Sequence, residues 1–148
     1  MNKPFVTHVP GFILADELIL AHFKDELFPD KSKPYQVIAL TDTYAPGEMR
    51  DYLEQEVGVE ITILYSPVQI TFESTSAEDR QRLRAFFANI RKGFDTIVYC
   101  YGGTNRSAAL AEYLASTGDY TMKRLSCTPD PVIEPGWHQF YDEMRQGV

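Results

Sequence analysis

Cys100 and Arg106 are separated by five residues, Tyr101-Gly102-Gly103-Thr104-Asn105, and Ser107 follows the arginine directly. A thiolate is a strong nucleophile, whereas a free thiol near neutral pH is mostly protonated. A helix N-terminus and a nearby guanidinium can lower a thiol pKa. Arg106 offers a planar fork able to hold two oxygens of a phosphate at once. Gly102 and Gly103 permit a tight turn and a close approach of backbone to an anion. The Ser107 hydroxyl can donate to the Cys100 sulfur or assist its departure as a leaving group. These residue types at this spacing suit nucleophilic chemistry on a bound anion.

The flanking segments say how the loop is held. Thr96-Ile97-Val98-Tyr99 reads as a short buried strand, and Ser107 to Ala115 reads as a helix. The loop therefore joins a strand end to a helix start. Backbone N–H groups and the positive end of a helix dipole converge there, an arrangement suited to phosphate. Tyr101, Gly102, Gly103, Thr104, Asn105 and Arg106 are the expected phosphate-binding loop.

The remaining chain supplies a frame. Ala15 to Phe28 reads as a helix with Leu18, Phe23 and Leu27 inward, closed by Pro29. Residues 35–40 and 59–65 read as strands, the second on its β-branched content. Between them, residues 48–56 form a short helix with Met49, Tyr52 and Leu53 on one face, ended by Gly58. Ser76 caps a helix whose Leu83, Phe86, Phe87 and Ile90 face inward and which Gly93 ends. Asp95 to Cys100 is the strand that delivers the thiol. The last helix begins near Pro135 and carries the stripe Trp137, Phe140, Tyr141, Met144. Strands alternating with helices predict a single α/β domain over residues 1–148, with a central, mainly parallel sheet flanked by helices. Ligands of such sheets sit beyond the carboxyl ends of the strands, where Cys100 falls.

The pattern Cys100-x5-Arg106-Ser107 resembles the active-site signature of the cysteine-dependent phosphatases, protein-tyrosine and dual-specificity enzymes among them. The likeness extends over roughly residues 35–146. The order of elements is similar to a compact dual-specificity phosphatase domain, as is the approach to the last helix, Pro131-Val132-Ile133-Glu134-Pro135-Gly136-Trp137-His138-Gln139-Phe140. The resemblance implies hydrolysis of phosphomonoesters, of phosphotyrosine or phosphoprotein type, through a phosphocysteine. Cys100 would be the nucleophile, Arg106 the phosphate clamp and Ser107 the aid to sulfur departure. No metal and no cofactor is implied, and the partner is a phosphorylated protein or small phosphoester.

Two departures accompany it. The family usually has histidine before the cysteine, where this chain has Tyr99. Its general acid is an aspartate about thirty residues upstream, a position at or near Gln69 here. Glutamine cannot supply a proton as a carboxylic acid can. Glu73, on the same loop, is a candidate replacement. Asp42 is a weaker candidate, and Asp130 beside Pro131 reads as turn chemistry. Asn105 before Arg106 resembles the loop of RNA 5′-triphosphatases of the same superfamily, which dispense with the aspartate. An RNA or nucleotide 5′-triphosphatase is thus one alternative. A catalytically weak phosphate-binding module is another.

Composition bounds the partners. The net charge is −7, with five basic and eleven acidic side chains in residues 1–60 against nine and ten in residues 61–148. An acidic surface disfavours nucleic acid and anionic membrane, so nucleic acid enters only with the triphosphatase alternative. Arg80, Arg82, Arg84, Arg91 and Lys92 read as a solvated helix face. No apolar run reaches the length of a membrane span. The chain reads as cytoplasmic, without a secretory leader, and its two cysteines form no disulfide framework. Cys127 could act as a resolving thiol for Cys100. His8, His22 and His138 are isolated, with no metal-ligand spacing.

Overall fold

The computed structural model describes residues 3–68 and 71–146. The acid position expected at Gln69 therefore lies outside the described residues. In chain order the elements are β1 (Phe5–Pro10), α1 (Gly11–Ala15), α2 (Glu17–Leu27), β2 (Tyr35–Ala39), α3 (Pro46–Val57), β3 (Ile61–Tyr65), α4 (Ala77–Phe86) with a 3₁₀ turn (Phe87–Asn89), β4 (Asp95–Cys100), α5 (Arg106–Ser116), β5 (Thr121–Met122) and α6 (Pro135–Arg145). The five strands form one sheet in the order β3-β2-β4-β1-β5, and every pairing is parallel. The α/β expectation holds, with the sheet wholly rather than mainly parallel.

Helices cover both faces, so the central strands are buried on both sides. Side chains alternate along β4: Ile97 and Tyr99 pack with Leu14, Leu20, Leu27 and Leu53 on the α1–α3 side. Val98 and Cys100 pack with Leu83, Leu110, Trp137 and Phe140 on the α4–α6 side. This alternation sends the Cys100 side chain towards α5. At the foot of β4, Asp95 accepts the Phe5 N–H at 2.9 Å and pairs with Lys33 at 2.7 Å, fixing the start of β1 against the start of β4.

Several sequence expectations shift. The structure has a strand at Phe5–Pro10 where the sequence suggested none. Thr7, His8 and Pro10 interrupt its apolar pattern, yet Thr7 and His8 are buried because each finds a polar partner. α2 starts at Glu17 rather than Ala15. The Asp16 carboxylate accepts from Leu18 N and Ile19 N at 3.0 Å each and so sets the first turn. In that turn Leu18 points to solvent, 83% exposed, and Leu20 (1%) and Leu27 (0%) take the inward face. α4 ends at Phe86, and Gly93, at φ 91°, forms the turn into β4 instead. The α6 stripe is as expected, with Trp137, Phe140 and Tyr141 buried.

The register of α2 makes a direct prediction. Leu20→Ala should cost about 2–5 kcal/mol of stability, and Leu18→Ala less than about 0.5 kcal/mol. Urea unfolding midpoints of the two variants check it, and equal losses would contradict this helix register.

Candidate active site

β4 ends at Cys100, opposite Pro10 at the end of β1, and α5 begins at Arg106. The intervening loop is shaped by where its carbonyls go. Gly103 O accepts from His8 Nδ1 at 2.7 Å, Thr104 O from Val132 N at 2.8 Å and Asn105 O from Ala109 N at 2.9 Å. All described peptides are trans, so each N–H points opposite to the carbonyl of its own peptide unit. With three carbonyls turned away, the N–H groups of Thr104, Asn105 and Arg106 turn the other way, towards the hollow that the loop encloses. Such a nest of amides at a helix N-terminus has the geometry to take an anion.

The sulfur sits at the floor of this hollow. Cys100 Sγ accepts from Gly103 N at 3.2 Å and from Ser107 N at 3.4 Å, and lies 3.1 Å from Ser107 Oγ. When the sulfur is a thiolate, the Ser107 hydroxyl must be the donor, giving three hydrogen bonds to one charge. Gly103 is essential to this packing. It sits at φ 75°, and a Cβ there would fall 2.3 Å from Pro10 N and 2.5 Å from Val9 C. Gly102 has no such crowding; the nearest atom to its Cβ position is Thr104 Oγ1, at 4.0 Å.

Arg106 is 5% exposed. Its Nη1 donates to Leu40 O at 3.2 Å and to Val68 O at 2.8 Å, carbonyls just past β2 and β3. The guanidinium is thereby fixed at the carboxyl edge of the sheet, where it lines two adjoining cavities. One, about 480 Å³, is formed by the loop with Cys100, Thr71 and Glu134. The other, about 500 Å³, is walled by Thr41, Asp42, Thr43, Asp79, Arg82 and Tyr101. Asn105 and Glu134 brace the first. Asn105 Nδ2 donates to Glu134 Oε1 at 2.6 Å and Glu134 N donates to Asn105 Oδ1 at 2.9 Å. Phe72 N donates to the same Oε1 at 2.9 Å, which ties the 71–75 loop to the loop between β4 and α5.

The structure brings Cys100, Arg106, Ser107 and the loop residues together as their spacing suggested. It does not bring Glu73 to either cavity; that side chain is exposed on the loop before α4. Asp42 does line the second cavity, as Arg106 does. Asp79 lines it too, paired with Arg82. Asp130 is on the surface in an ion pair with Arg124. Tyr99, in place of the family's histidine, turns to the opposite face of the sheet, where burial pushes its hydroxyl up to about 12. Cys127 packs on that opposite face as well, and burial pushes its thiol up to about 11, so a resolving role for it gains no support. His8, isolated in the sequence, and Glu134, in the approach to α6, both bond the loop. His8 lies 95 residues from Gly103 in the chain. A signal for Glu134 was present in the proline-bounded approach to α6.

No family model matches this sequence, and no curated protein matches it either. Among solved structures, the fold is similar to that of a Shewanella putrefaciens CN-32 protein described as a "putative phosphatase (DUF442)". The two share 20% identity with a TM-score of 0.50, over 96% of this chain and 85% of that one. At this identity the likeness shows a shared fold.

The two loop glycines should respond differently to the same change. Gly103→Ala combines a strained φ with a backbone clash and should cost at least about 1–3 kcal/mol. Gly102→Ala should be nearly neutral. Urea denaturation of both variants checks this, and equal effects would contradict the close approach of Gly103 to β1.

Proposed function

We propose that this chain is a cysteine-dependent phosphatase that hydrolyses phosphomonoesters through a phosphocysteine. The observation that carries the reading is the convergence of Gly103 N, Ser107 N and the Ser107 hydroxyl on Cys100 Sγ, at the head of α5 and in a cavity shared with Arg106. Donors and helix dipole together stabilise a negative sulfur.

The sulfur attacks phosphorus in line, an S–P bond forms, and the P–O bond to the leaving group breaks. The N–H groups of the loop and the Arg106 fork hold the equatorial oxygens and stabilise charge as it builds. The leaving group occupies the second cavity, which has the volume for a phosphorylated side chain or a small phosphoester. Asp42 stands on its wall with no ion pair or hydrogen bond to its carboxylate among the described residues, and this reading gives it, rather than Glu73, the proton for the leaving oxygen. Water then attacks phosphorus, giving a proton to the Asp42 carboxylate. The S–P bond breaks, the electron pair returns to Cys100 with help from Ser107, and phosphate leaves. The side-chain amide of Asn105 is bonded at both ends to Glu134, which gives this residue a structural reason to stand before Arg106. The triphosphatase alternative gains no support from it.

Hydrolysis of p-nitrophenyl phosphate against pH tests the proposal. Cys100→Ser should abolish turnover and retain phosphate binding, and Arg106→Ala should lose both. Asp42→Asn should flatten the basic limb of the pH profile, with a loss bounded by the roughly 10²–10⁴-fold worth of general acid catalysis, while Glu73→Gln should leave the limb intact. Full activity in Cys100→Ser would overturn the mechanism. A wild-type protein that binds phosphate without turnover would be the phosphate-binding module instead.

A further inference from the structure

Three carbonyls of the loop are turned away from the hollow. Two are held by backbone N–H groups, those of Val132 and Ala109. The third, Gly103 O, is held by a side chain, His8, which is 1% exposed in the second strand from the sheet edge. In the sheet register His8 stands opposite Val98, and Pro10 opposite Cys100. With period two, His8 therefore projects from the same sheet face as Cys100, one strand over and one side-chain step back. Its ring reaches up from that place to the loop.

A carbonyl oxygen can only accept, so the His8 proton sits on Nδ1. Burial lowers the His8 pKa, so the neutral ring is the resting form near pH 7, although the Gly103 bond and Glu112 act in the opposite sense and Arg124 in the same sense as burial. One contact at Gly103 then fixes two peptide units. The unit from 103 to 104 has its oxygen on His8 and its Thr104 N–H turned to the hollow. The unit from 102 to 103 presents its N–H to Cys100 Sγ at 3.2 Å. Were the Gly103 carbonyl released, the 103–104 unit could rotate, because φ and ψ of glycine are loosely restrained. It would then offer an oxygen in place of an N–H to the anion, and the donor on sulfur would lose its alignment.

We infer that His8 is a positioning residue for Cys100: through Gly103 it orients the amides that stabilise the sulfur and the phosphate. This rests on the reading of Cys100 as the nucleophile, so the test reads the sulfur itself. In a Cys127→Ser background, the rate of Cys100 alkylation by iodoacetamide is measured against pH for His8, His8→Asn and His8→Leu. Asparagine and leucine share the same branching and number of side-chain heavy atoms, and only asparagine offers an N–H where Nδ1 stood. His8→Leu should alkylate about tenfold more slowly below neutral pH, the worth of one aligned hydrogen bond, with its rate profile moved to higher pH. His8→Asn should stay near the parent profile. The kcat/KM for p-nitrophenyl phosphate should follow the same order.

A His8→Leu profile that superimposes on the parent overturns the inference. So does an equal displacement in both variants, because the donor would then be irrelevant and only the fit of the side chain would count. Urea midpoints confirm that each variant is folded under the assay. If His8→Leu does not fold, His8→Gln takes its place as the variant whose amide cannot reach from the Nδ1 position, with the same two outcomes. Absence of aryl phosphate hydrolysis in the parent would sink the phosphatase reading while leaving the alkylation comparison intact.

Discussion

The site depends on the direction in which three peptide groups of one loop point. An amide turned one way offers a partial positive charge to an anion, and turned the other way it offers a partial negative charge. Gly103, Thr104 and Asn105 each have the carbonyl bound outside the hollow, to His8, Val132 and Ala109. The free energy of those three bonds therefore sets the electrostatics of the cavity before any ligand arrives. In the proposed mechanism these bonds orient the loop amides before an anion arrives.

Much of the fold can be understood as support for that loop. The parallel sheet aligns the ends of β1, β2, β3 and β4, so that Pro10, the carbonyl of Leu40 and the carbonyl of Val68 all lie at the edge that receives Cys100 and Arg106. Arg106 is buried as the first residue of α5 and would be costly there unpaired; the two carbonyls satisfy part of its guanidinium and leave the charge facing the cavities. Gly103 presses against the end of β1 closely enough that a methyl group would not fit. On the other side, Glu134 gathers Asn105 and Phe72, joining the start of α6 and the 71–75 loop to the same frame.

The parts of this account that local sequence dictates were legible. β4 and α5 carry an uninterrupted apolar run and a strong helix former series around the loop, and both lie where their patterns put them. Pro135 opens α6 because its fixed φ suits a first helical residue. What depends on distant contacts was not legible. β1 hides behind Thr7, His8 and Pro10; Thr7 and His8 are tolerated in a buried strand because Thr128 and Gly103 supply partners from more than ninety residues away. β5, with two residues, is too short to have a period. Leu18 looked inward by spacing, but the Asp16 cap rotates the first turn and hands the buried face to Leu20. That Asp42 and Arg106 line one cavity follows from β2 and β4 being neighbours, a pairing that no local pattern encodes.

In the proposed mechanism the sulfur of Cys100 becomes covalently bonded to phosphorus during turnover. The most direct test is to mix the protein with p-nitrophenyl phosphate, quench in acid within the first turnover, digest, and examine the peptide containing Cys100 by mass spectrometry. The account predicts a phosphate adduct on Cys100 that is absent from Cys100→Ser and that decays as turnover proceeds. Turnover by the wild-type protein with Cys100 unmodified at every quench time, or an adduct found on another residue, would contradict it.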